Sequence, residues 1–161
     1  MPVSCGTTVD PARGEWTASS ENGGVEKGSI MTFLDRWRDQ ILSVLRIMSA
    51  LLVLQHGTMK HLNVPTGPMN DTALASLSGI AGAIELVGGA LLLVGLFTRP
   101  VAFVLSGLTA AAYFIAHAPK SFFPILNGGE LAALYCFVFL FLAAAGGGAW
   151  SLDRMRKGST A

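Results

Sequence analysis

Charge is what this chain has least of. Asp, Glu, Lys and Arg make up 13% of its 161 residues, about half the share of ~25% usual in soluble proteins. Hydrophobic residues make up 52%. That leaves too little polar surface for a water-soluble fold of one-domain length and points to a membrane protein. Net charge is +1, and no basic cluster with interleaved aromatics occurs, so no nucleic-acid partner is expected. Cysteine is nearly absent. Cys5 sits in a polar stretch and Cys136 in an apolar run, which argues against a disulfide between them. There is no CxxC and no Cys/His zinc spacing. Residues 1–30 contain no apolar segment of the kind a secretory signal peptide needs.

What the chain has instead is long apolar runs. The central one is Ala73–Phe97, which carries a single charge, Glu85, at its middle. As a helix it would be roughly 37 Å long, enough to cross a hydrocarbon core of ~30 Å. A carboxylate at that depth is costly, so Glu85 is expected to face protein and to find a partner on another helix. Ser78, Gly79, Gly82, Ala83, Gly88 and Gly89 let neighbouring helices come close; packing alone accounts for them.

The polar residues 1–30 read as a disordered leader, and Met31, where the composition changes, as a natural start. Residues 31–157 read as one membrane domain and 158–161 as a tail. Phe33, Leu34, Trp37 and Ile41 recur at helical spacing, an amphipathic approach lying at an interface. It leads into a first span over Ile41–Leu54 that continues to Lys60. Residues 61–72 form a loop, with Asp71 or Thr72 as cap of the second span. Thr98-Arg99-Pro100 is a tight turn, and Pro100 suits the first position of a third span ending near Ala116. Phe122 and Phe123 read as interfacial aromatics. The fourth span is Leu131–Trp150, with Asn127 as cap and Glu130 where the helix dipole favours an acid. Arg36, Arg38, Arg99, Arg154, Arg156 and Lys157 fall on one side of this arrangement, against Lys60 and Lys120 on the other. The expected fold is therefore all-α: an antiparallel four-helix transmembrane bundle with both termini cytoplasmic. The expected location is the plasma or inner membrane.

Arg46, Val53, His56 and Lys60 share one face of the first helix. Counting residues puts Glu85 at mid-depth and Arg46 about 10 Å away along the membrane normal, with His56, Lys60, His117, Asn127 and Glu130 toward the opposite surface. The expectation is a polar column running from Arg46 to Glu130, in which Glu85 pairs with Arg46, His56 or both. Intramembrane ionisable residues mark a functional site by default. The competing account is an ion-pair network that fixes helix register. Arg46 alone can be read as snorkelling to the interface. The histidines and carboxylates come from four helices with no i, i+4 His/Glu pairing, so no metal site is expected.

The segments LRI in the first helix, HGTMKH at its end, IELVGGALLLVGLFTRP, NGGELAALY and GGGAWSLD, taken together and in this order, resemble the DoxX family of small bacterial and archaeal membrane proteins. The resemblance runs from about Leu45 to Asp153. It implies four transmembrane helices and a redox association, as subunits of quinone-linked oxidoreductases or partners in oxidative-stress complexes. The family's polar motif positions correspond to Arg46, His56, Lys60, Glu85, Arg99, Asn127 and Glu130; no catalytic residue is thereby assigned. Three functional readings follow. The first is a redox-associated membrane subunit whose polar cluster binds a quinone headgroup or docks a redox enzyme, with no cofactor attached to the chain itself. The second is a small-solute or proton-coupled permease. The third is a non-catalytic scaffold for a soluble enzyme. The bilayer, such a partner or a quinone, and further copies of the chain are the expected contacts.

Overall fold

The computed structural model describes residues 7–9, 16–18 and 32–158. Two compact units are present, Met1–Phe33 and Leu34–Ala161. In the first, strands β1 (Thr7–Val9) and β2 (Trp16–Ala18) pair antiparallel, with Thr7 opposite Ala18 and Val9 opposite Trp16. The remainder of the leader expected over residues 1–30 lies outside the described residues, as do residues 159–161.

The second unit is all-α across its described residues, as expected. After a single turn, α1 (Thr32–Asp35), come α2 (Arg38–Leu62), α3 (Leu77–Val94), α4 (Thr98–Ala112), α5 (Pro124–Asn127), α6 (Glu130–Ala145) and α7 (Leu152–Gly158). A π-helical turn, Tyr113–His117, prolongs α4. Arg38–Leu62, Leu77–Val94 and Thr98–His117 are long and apolar enough to cross a membrane. α6 is equally apolar but has 16 residues, about 24 Å of helix.

Several helix ends differ from the sequence reading. Ser76, not Asp71 or Thr72, caps α3, its hydroxyl accepting the Gly79 N–H at 3.0 Å. The two expected caps are used in the loop: Asp71 accepts from Asn63 Nδ2 at 3.0 Å, and Thr72 donates to the Met69 carbonyl at 2.6 Å. Pro100 is the third residue of α4, not the first. α6 stops at Ala145 because Gly146 leaves the helix with φ 93°, a conformation open to residues without a Cβ. Asn127 does not cap α6. It belongs to α5, and no side chain caps α6 at Gly129.

The most extensive helix pairings are α2 with α3 and α4 with α6; α3 meets α4, and α2 meets α6, over smaller areas. The α2–α3 seam depends on the absence of side chains. A Cβ on Gly57 would stand 2.5 Å from the Leu86 backbone nitrogen, and one on Gly89 would stand 3.1 Å from the Leu54 Cα. Small residues at such a crossing let two backbones pack by dispersion where no hydrophobic driving force exists between helices and lipid. Ala50, Val53, Leu92, Leu105, Phe139 and Leu142 form the centre of the core. The outward faces are apolar: Met48, Leu51, Val87, Phe103, Phe137 and Phe141 are all exposed. That much exposed apolar surface is untenable in water and appropriate to lipid.

Candidate functional site

Two cations are buried among the described residues of this unit, and they are held differently. Arg46, on α2, has 0% exposure. Its guanidinium donates to backbone carbonyls only. Nε bonds Gly147 O at 2.9 Å, Nη2 bonds Trp150 O at 2.7 Å, and Nη1 bonds Leu93 O at 2.6 Å as well as Leu92 O. Leu92 and Leu93 lie in the last turn of α3, where the helix dipole favours a cation; the Leu92 carbonyl also accepts the Gly95 N–H at 3.1 Å. Gly95 ends α3 at φ 72°, and a Cβ there would lie 3.0 Å from the Arg46 Cζ. The planar fork of five donors suits this set of carbonyls. Arg46 therefore ties the start of α2 to the end of α3 and to the turn after α6.

The second buried cation is Lys60, near the end of α2. Its Nζ is 2.7 Å from Glu85 Oε2, and the two side chains are 7% and 12% exposed. The sequence reading placed Arg46 or His56 beside Glu85; Lys60 takes that place. The reason is geometric. Side chains on a helix lean toward its N-terminus. Lys60, near the C-terminal end of α2, leans back along the span toward Glu85. Arg46, near the N-terminal end, leans away from it. Gly82 makes room for the lysine stem, since a Cβ there would stand 2.7 Å from the Lys60 Cδ. His61 joins the same cluster, its Nε2 donating to Gly79 O at 3.0 Å.

A third polar group lies where the π-turn meets α5. His117 Nδ1 donates to the Asn127 carbonyl at 3.1 Å, and its ring stacks on Tyr113. Asn127 is 4% exposed; its Nδ2 donates to Ser121 O at 2.8 Å, and its Oδ1 accepts the Gly129 N–H at 2.7 Å. Both ends of that amide are thus used in shaping the loop. Glu130 is exposed and His56 half-buried; neither has an ion pair among the described residues. The expected column is thus three separate clusters, at Arg46, at Lys60–Glu85 and at His117–Asn127.

Two residues at work here carried no role in the sequence reading. His61 follows Lys60 directly, and that adjacency was its signal. Asp153, at the start of α7, caps α4 from a distance: its two oxygens accept the Phe97 and Thr98 N–H groups at 2.8 and 2.7 Å. Burial pushes its carboxyl up, but the hydrogen bonds from Thr98 and Phe97 and the neighbouring Arg156 charge outweigh that and hold it below the ordinary carboxylate range. An aspartate just after a glycine run was its signal.

A protein of Haemophilus influenzae, named only as uncharacterised, is 44% identical over 132 residues, covering 76% of this chain and 96% of its own length. No solved structure matches the chain. The DoxX family model matches residues 41–118, a stretch that includes Arg46, the Lys60–Glu85 pair and His117. With its apolar helices and this relative alongside, the chain belongs to the DoxX family and is a multi-pass membrane protein.

Proposed function

We propose that this protein is the membrane subunit of a quinone-linked redox assembly, with Lys60 and Glu85 as its proton-handling pair. The observation that carries the reading is the 2.7 Å contact itself, between an ammonium and a carboxylate on two apolar helices. Packing requires no charge at either position, and charges at such depth are costly. The donor set suits a quinone headgroup. An ammonium has three N–H donors; one goes to Glu85, and the others are available to a carbonyl oxygen. A quinone would supply the electron-accepting ring, and Glu85 can pass a proton to it or take one from it. The chain has no cofactor-attachment motif, so electrons would come from a partner enzyme.

The proposed topology is four antiparallel spans in the plasma or inner membrane, α6 being completed by residues 146–150, with both termini cytoplasmic. Supporting it, the start of α2, the end of α3, the start of α4 and the segment after α6 are tied together by Arg46 and Asp153. Arg38, Arg99, Arg154 and Arg156 belong to that same set of segments, as the positive-inside rule requires. At the other end, His56, His117 and Glu130 would form the rim that faces a partner or further copies of the chain, with buried Asn127 shaping the loop beneath it.

Gentle detergent extraction should co-purify a redox enzyme, and quinone reduction by the complex is the readout. Glu85→Gln should lower the rate by about a hundredfold, the scale of a lost general acid or base, while the complex still assembles. Full quinone reduction by an assembled Glu85→Gln complex overturns the reading.

A further inference from the structure

Beyond that reading, and independent of it, the basic end of the unit holds two adjoining cavities. A cavity of about 690 Å³ opens there between the starts of α2 and α4 and the segment after α6. Three arginines line it, Arg99, Arg154 and Arg156, against two aspartates, Asp39 and Asp153. The aspartates are committed. Asp39 pairs with Arg154 at 2.6 Å, and both Asp153 oxygens hold the start of α4. Arg156 lies over the Phe97 ring, 5.7 Å from its centroid. Arg99 has no ion pair among the described residues, and its guanidinium faces the Gly146 backbone across the cavity, Nε standing 3.6 Å from where a Cβ would be.

A second cavity, also about 690 Å³, adjoins the first between α2 and α6; Asp39, Leu42 and Ala145 line both. Ile41, Leu42, Leu45, Phe141 and Ala144 make its apolar walls, and the charged residues Asp35, Arg38 and Asp39 line it where α1 meets α2. α2 and α6 touch only sparingly, which is why the groove exists. A basic mouth at a membrane surface beside an apolar-walled groove has two parts that match the two parts of one ligand class. Arginines at helix ends on such a surface bind phosphate headgroups, and an apolar trough within the hydrocarbon layer receives an acyl chain. A free phosphate would account for the mouth and leave the trough unexplained.

We propose that an anionic phospholipid binds here, its phosphate at Arg99 and Arg156 and one acyl chain along the α2–α6 groove. Native mass spectrometry of the full chain in mild detergent tests this, with phosphatidylglycerol and phosphatidylcholine offered in equal amount. Retention should favour phosphatidylglycerol by about thirtyfold, given roughly 1 kcal/mol for each of the two arginines near an anionic headgroup and about 1.4 kcal/mol per tenfold. The double variant Arg99→Gln/Arg156→Gln should abolish the preference, and Arg99→Lys/Arg156→Lys should keep most of it. Ala144→Trp fills the groove without changing charge and should cut retention of phosphatidylglycerol. Lys120→Gln, far along the chain from the cavity, should change nothing. Equal retention of the two lipids overturns the proposal, as do displacement by millimolar inorganic phosphate, an unaltered Ala144→Trp, or a loss in Lys120→Gln matching that in the arginine variant.

Discussion

Arg46 and Lys60 stand on the same helix, both buried and both cationic, and the protein neutralises them in opposite ways. Arg46 is surrounded by carbonyl dipoles from two other segments. Lys60 meets one full negative charge. The difference follows from where each sits. At the end of α3 there are carbonyls without helical partners, and a flat guanidinium can serve several at once. Mid-helix carbonyls are already bonded, so a cation that reaches the middle of α3 needs a side-chain acid. The first arrangement is complete in itself and reads as architecture. The second holds a proton donor and a proton acceptor in contact, and it is the one to which the proposed function assigns chemistry.

The largest effect should come from Arg46→Met. It strands the carbonyls of Leu93, Gly147 and Trp150 and should cost about 4 kcal/mol at ~1–1.5 kcal/mol per lost bond, seen as a lowered thermal midpoint in detergent. Arg46→Lys should recover little, because a point charge cannot span the set. Recovery by lysine would mean that charge, not the fork, holds this end together.

Next in size, Lys60→Met and Glu85→Gln should each destabilise by about 3 kcal/mol, since each leaves one buried polar group without its partner. The double variant should regain part of that stability while remaining inactive. Simple additivity of the two losses would show that the pair is not coupled. By the same measurement, Arg46→Met combined with Glu85→Gln should be additive, because the two residues belong to separate clusters.

Gly57→Ala should cost about 2 kcal/mol through overpacking. The added methyl meets the Leu86 backbone, which cannot step aside, and helix separation should misplace Lys60 relative to Glu85. Survival of the proposed quinone reduction in this variant would show that the pair tolerates a wider seam.

The smallest effect, about 1 kcal/mol, should come from Asp153→Asn, the scale of a weakened cap. Because the native carboxyl titrates below its ordinary range, its stabilisation is present at neutral pH and is lost as pH falls through the depressed native value. Unfolding of the two proteins should therefore differ at pH 7 and converge in acid. A gap that persists in strong acid would show that the cap does not depend on the charge.

Much of this was legible in advance. Low charge and long apolar runs identified a membrane protein, and cost alone required Glu85 to have a partner inside the protein. The partner's identity was not legible by counting depth along straight helices, because that count ignores the lean of each side chain. Lys60 looked too near the surface, yet its stem runs back over Gly82. The Arg46 site had no signature at all in side-chain types, since its ligands are backbone atoms. Helix ends went astray where several capping residues competed. Asp71, Thr72 and Ser76 are chemically alike as caps, and only the Asn63–Asp71 clasp, a contact within the loop, decides among them.

The ion partners Lys60 and Glu85 lie 25 positions apart on consecutive helices. This has a consequence for how the protein enters a bilayer. The α2–α3 hairpin leaves the ribosome already containing both halves of its own neutralisation, so it can partition into lipid as a unit before α4 and α6 have been made. The Arg46 cage, which waits for the turn after α6, can close only after α6 has been made. One charge pair thus serves early commitment to the membrane, and one arginine acts as the late latch on the assembled fold.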